Sequence, residues 1–138
     1  MTDTAPPHAA AAPRTAAPAP EAVDLAAKLA LFDELWAQRT LASVNDYEVK
    51  IAKLRGEFVW HRHDDTDELF LVISGRLTLQ LGGAPDVVLG PGQLYVVPRG
   101  VEHCPRAEEE TAVLLLEPAG TPNTGSAGGA RTKAPVAL

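Results

Sequence analysis

From Tyr47 onward the chain alternates. Tyr47, Val49 and Ile51 are interleaved with Glu48, Lys50 and Ala52, and Leu77, Leu79 and Leu81 with Arg76, Thr78 and Gln80. A period of two is the mark of a strand, because successive side chains leave an extended backbone on opposite faces. The apolar runs are short, and turn residues bound them: Ser74-Gly75, Gly82-Gly83-Ala84-Pro85, Gly90-Pro91-Gly92 and Pro98-Arg99-Gly100. Glycine reaches the positive φ that tight turns need, and proline presets its own φ. Further runs fall at Val59–His63, Glu68–Ser74, Val87–Leu89, Leu94–Val97, Glu102–Pro105 and Thr111–Glu117, which makes about eight strands. Many short strands with regular turns predict an all-β sandwich, jelly roll or barrel.

The ends of the chain read differently. Residues 1–22 are mostly Ala, Pro and Thr, and residues 120–138 are rich in Gly, Ala, Pro and Thr. Such compositions have little to bury and predict a disordered leading tail and a flexible trailing one, leaving a domain over 23–119. Within it, Leu25, Leu29, Phe32 and Trp36 recur at helical spacing. That stripe predicts a leading amphipathic helix over 23–39, packed on the domain or on a partner subunit.

Charge and cysteine usage narrow the function classes. The formal net charge is −6, with no basic stripe for nucleic acid to bind. No apolar stretch approaches a membrane span, and the N-terminus lacks the basic-then-apolar pattern of a secretory signal. Cys104 is the single cysteine, so no internal disulfide can form. These features fit a cytoplasmic protein.

Three of the four histidines and one carboxylate fall at spacings that suit a metal ion. His61 and His63 are two apart, so on a strand both imidazoles share a face. Glu68 opens the next apolar run, and His103 follows the turn at Pro98-Arg99-Gly100. Three imidazoles and a carboxylate suit a divalent first-row transition ion. A His-x-His pair alone is as well read as two ordinary strand residues; here a carboxylate and a third histidine join it after turns. His8 lies in the Ala/Pro tail, apart from this set.

The stretch Gly56-x4-His61-x-His63-x4-Glu68-x6-Gly75 resembles the first motif of the cupin superfamily, and Gly92-x5-Pro98-x-Gly100-x2-His103 resembles the second. The motifs stand in the right order, sixteen residues apart, and the resemblance covers about residues 45–117. The gap from Gly56 to His61 is one residue shorter than the usual form, and Ala107 stands where the second motif usually has Asn. Membership implies a double-stranded β-helix, a small jelly-roll barrel, holding Fe, Mn, Ni or Zn on His61, His63, Glu68 and His103. It also implies a homodimer.

Four such ligands leave coordination positions open and a net charge of about +1 on a divalent site, which favours an anionic oxygen ligand. The expected function is therefore a metal-dependent enzyme of oxygenase, isomerase or lyase type, acting on a small oxygen-chelating molecule. The alternative is a non-catalytic module that binds or senses a small molecule or metal. Tyr95 is a candidate proton donor to the pocket, with plain packing as the other reading. Phe70 and Val72 share the parity of Glu68 and should wall the pocket, while Cys104 should be a buried, inert thiol.

Overall fold

One strand organises the others. In the computed structural model, which describes residues 21–138, β7 (His103–Pro118) runs for 16 residues through the middle of the sheet. The remaining strands are β1 (Arg39–Val44), β2 (Tyr47–Glu57), β3 (Glu68–Ser74), β4 (Leu77–Leu81), β5 (Ala84–Leu89), β6 (Leu94–Val97) and β8 (Val136–Ala137). The second half of β7 lies between β2 and β3, both antiparallel to it, with Leu114 opposite Ile51 and Leu71. Its first half pairs with β4, from Arg106 opposite Thr78 to His103 opposite Leu81. β6 extends the sheet beyond β3, and β5 beyond β4. β2 follows β7 around the bend through a bulge between Leu54 and Gly56, where Gly56 takes φ +82°. The result is an all-β jelly roll, one of the architectures that the alternation allows.

The pleat sends one parity of each strand inward. Ala52 and Leu54 of β2, Phe70 and Val72 of β3, Leu77, Leu79 and Leu81 of β4, Val97 of β6, and Val113 and Leu115 of β7 form one buried cluster. The same parity carries Lys50 and Glu117 inward, both fully buried, and Glu68, 2 % exposed. The other parity is apolar as well. Val96, Leu69, Leu116, Val49 and Ala42 form one row across β6–β3–β7–β2–β1, and Leu94, Leu71, Leu114 and Ile51 form the next. Leu94 and Val96 are exposed, Leu69, Leu71, Leu114, Leu116 and Val49 are half-buried, and Ile51 is fully buried.

The leading segment departs from expectation. The amphipathic helix over 23–39 is not formed; helix α1 spans Leu25–Leu29 only and buries nothing. Asp24 caps it, accepting from Ala27 N–H at 3.1 Å. A helix this short is marginal by itself, and tertiary contacts claim the rest of the stripe one residue at a time. Phe32 is buried beneath the Arg39 and Lys53 cations, at 4.7 and 5.0 Å from its ring centroid. Trp36 takes a left-handed conformation, φ 58°, donates its backbone N–H to the Lys53 carbonyl at 2.8 Å and stacks on Phe58 at 4.7 Å. No helix accommodates that backbone, and β1 begins three residues later.

Two further boundaries differ. β2 stops at Glu57, so the expected strand at Val59–His63 is reduced to a bridge at His61. The two strands expected at Glu102–Pro105 and Thr111–Glu117 are one, because Glu108, Glu109 and Glu110 continue β7 with exposed side chains. The segment read as a flexible tail lies along the barrel: β8 pairs with β1 in parallel, and Asn123 and Thr124 are buried. The expected leading tail, except for its last two residues, lies outside the described residues.

Candidate metal centre

His61 and His103 face each other across a two-residue antiparallel bridge. Each donates its backbone N–H to the other's carbonyl, at 3.0 and 2.8 Å. Each ring also contacts the carbonyl two residues before it, His61 Nδ1 to Val59 O and His103 Nδ1 to Val101 O, both at 2.9 Å. A carbonyl only accepts, so Nδ1 carries the hydrogen and Nε2 is left with its lone pair. The same device thus orients two imidazoles from opposite sides. The backbone around His63 is held by Gly100, whose N–H donates to the His63 carbonyl at 2.8 Å. Glu68 enters from the first residue of β3.

The four side chains expected from the sequence come together. One ligand atom from each of His61, His63, Glu68 and His103 lies within 4.8 Å of all the others, and all four residues are buried. The Asp residues between them do not join: Asp64 pairs with Arg62 and Asp67 with Arg99 at the surface.

The donor set fits a divalent ion. His63 Nε2 is buried with no hydrogen-bond partner, 3.5 Å from Glu68 Oε1. His103 Nε2 lies 3.1 Å from the same oxygen. Two lone-pair donors so close need a cation between them, either a proton or a metal ion. Burial, then the neighbouring His103, pushes the His61 imidazole down to about 4, so it stays neutral and able to ligate at physiological pH. Burial alone would raise Glu68, but the adjoining His103 and His63 rings outweigh it and hold the carboxyl well below the usual range.

Behind Glu68 stands a second polar group that the sequence reading missed. Lys50 Nζ contacts Glu117 Oε1 at 3.0 Å and Gln38 Oε1 at 3.2 Å. Glu117 follows Leu116, the antiparallel partner of Leu69, and so stands beside Glu68; burial followed by the Glu68 charge pushes the Glu117 carboxyl up to about 9. Parity alone does not single them out: Lys50 shares its face with Ala52 and Leu54, and Glu117 with Val113 and Leu115, but the opposite faces are apolar as well.

A cavity of about 30 Å³ opens beside the cluster. Trp36, Phe58, Phe70 and Leu115 give it apolar walls, Gln38 and Asn123 add amides, and His61 and Glu68 reach it from the metal set. Phe70 thus holds its expected place. Tyr95 does not line this cavity; it is half-buried against the core. Cys104 is buried, and burial, then Glu57, pushes its thiol up to about 11.

Known proteins share both the fold and its sequence. The Bacillus subtilis (strain 168) protein YdbB, itself uncharacterized, is 34 % identical over 84 residues, covering 61 % of this chain and 74 % of YdbB. The crystal structure of a cupin-2 domain containing protein from Shewanella frigidimarina NCIMB 400 is 43 % identical, with a TM-score of 0.68 over 70 % of this chain and 93 % of that one. Hydroquinone 1,2-dioxygenase from Sphingomonas sp. TTNP3 shares the fold at 19 % identity, with a TM-score of 0.66 over 72 % of this chain and 33 % of its own. The cupin domain family model matches residues 47–117, the stretch from the start of β2 to Glu117 that builds the barrel and carries all four clustered side chains. This chain therefore belongs to the cupin family.

Proposed function

We propose that His61, His63, Glu68 and His103 hold a divalent transition ion, and that the protein is an enzyme acting on a small, oxygen-chelating molecule that reaches the ion from the side of the adjoining cavity. The observation that carries this reading is the convergence of four buried donor atoms, one of them the orphaned His63 Nε2, beside an apolar-walled space. When bound, the ion supplies Lewis acidity, or redox chemistry if it is iron or manganese. The chain's own residues do the rest. The Val59 and Val101 carbonyls fix the tautomers of His61 and His103. Phe58, Phe70 and Leu115 exclude water. Enzymatic relatives such as the dioxygenase support the reading at the level of the fold.

The test is elemental analysis of protein purified without a metal-binding tag. Turnover of diketones, hydroxy acids and uronates, with and without oxygen, is then measured. Stoichiometric metal that disappears in His63→Ala supports the site; a fully loaded protein that converts nothing in the panel removes the enzymatic reading.

The size of the cavity favours a second reading, a binding or sensing module. About 30 Å³ accommodates roughly two waters. Tight binding by calorimetry without conversion would establish it.

The two outward apolar rows support a homodimer formed through this sheet face, since large exposed apolar patches mark interaction surfaces. Light scattering should give the mass of two chains, and Leu116→Lys the mass of one. Among the described residues no helix is long and apolar enough to cross a membrane, and the single buried thiol supports a cytoplasmic setting.

A further inference from the structure

Lys50 is a cation at the centre of a barrel wall, and its side chain is fully buried, as is that of its partner Glu117. Such a pair is a poor device for stability. Desolvation of the ammonium and the carboxyl offsets their attraction, and apolar residues of similar volume generally serve a fold as well or better. The arrangement therefore calls for another explanation, and its position supplies one. Glu117 Oε1 is occupied by Lys50 and, at 3.5 Å, by the amide of Gln38. Its other oxygen, Oε2, is buried and meets no donor group. Leu69 pairs with Leu116 across β3 and β7, so Glu68 and Glu117, one step further along that register, stand on neighbouring strands with both side chains buried.

We propose that Lys50, Gln38 and Glu117 form a buried brace whose task is to orient Glu68, with Glu117 as the positioning residue and Lys50 as its anchor. The brace rests on the metal-site reading given above. Glu68 has an oxygen near two histidines, His103 at 3.1 Å and His63 at 3.5 Å. Glu117 stands beside Glu68 on the neighbouring strand. A carboxylate held this way has one rotamer available to an incoming ion, and partners behind a ligand commonly change metal affinity 10–100-fold. The elements agree with this role. Lys50 and Glu117 come from neighbouring strands, β2 and β7, and Gln38 from the segment that leads into β1. The brace is thus fixed by the sheet's own hydrogen bonds.

The experiment compares Co(II) binding to the full chain in three forms: wild type, Glu117→Gln, and the double variant Lys50→Met/Glu117→Leu. Affinity is read by chelator competition and ligand geometry by the visible Co(II) absorption spectrum. The double variant removes the buried cation together with the carboxyl that holds it, leaves no unpaired ion and should fold. Its expected Co(II) affinity is lower by about 10–100-fold, with an altered spectrum. Glu117→Gln keeps a carbonyl for Lys50 and the same side-chain shape beside Glu68, and should stay within about threefold of wild type with the same spectrum. A folded double variant with wild-type affinity and spectrum overturns the proposal. So does a double variant that fails to fold, because the pair would then be holding the barrel. A wild-type protein that binds no Co(II) would instead refute the metal site itself.

Discussion

Acid should weaken the metal-free protein through His61, by an amount the structure sets. The imidazole titrates near 6.5 when exposed and at about 4 in its buried place, so the unfolded chain binds the proton more readily. The sign follows: stability is lost as pH falls below 6.5, and the loss is complete near 4. At 1.36 kcal/mol per pKa unit, the change between pH 7 and pH 5 is about 2 kcal/mol. Against a typical total of 5–15 kcal/mol this is large. The raw pH curve does not isolate it, because Glu117 acts in the opposite direction. Its carboxyl is raised to about 9, so the fold gains stability as pH falls from 9 toward 4.5. The comparison is therefore with His61→Asn, which does not titrate and leaves Glu117 in place. Urea unfolding of the chelator-treated proteins at pH 7 and pH 5 measures both. The stability difference, wild type minus variant, should fall by about 2 kcal/mol, a midpoint shift on the order of 1 M at common slopes. Curves that stay parallel within about 0.5 kcal/mol would refute the reasoning.

Other outcomes follow from the same geometry. Saturating metal at about a hundred times its dissociation constant should stabilise the wild type by about 2.7 kcal/mol in thermal or urea unfolding, and Glu68→Gln should abolish most of that gain. Gly75→Ala should cost about 1–3 kcal/mol from the backbone alone, since φ is +85° there. The added Cβ would also stand 2.8 Å from the Thr111 Cα, so a melting temperature equal to wild type would contradict it. Cys104, buried and with its thiol raised to about 11, should resist Ellman's reagent at pH 8 until the protein unfolds.

The legible part of this protein was the part written in local spacing. Alternation announced strands, and Gly-Pro punctuation announced turns, because both depend on neighbours one or two residues away. His61, His63, Glu68 and His103 were identifiable because each stands beside a turn signal at a recognisable interval. The leading segment was misread for a related reason. Its 3–4 spacing is a true helical period, but the barrel offered Phe32 and Trp36 better contacts elsewhere, and the backbone followed them.

Taken alone, the sequence determined an all-β chain with a histidine-carboxylate cluster, because period and residue type are properties of short stretches. Only the tertiary structure decided which parity of each strand faces inward. In β2 that choice buries Lys50 and leaves Val49 half-exposed, against what hydropathy alone would select. The reason is that both sides of this sheet are apolar, so alternation does not name the inside. What names it is the meeting of β2, β3 and β7, which brings Lys50, Glu117 and Glu68 to one interior point from three distant places in the chain.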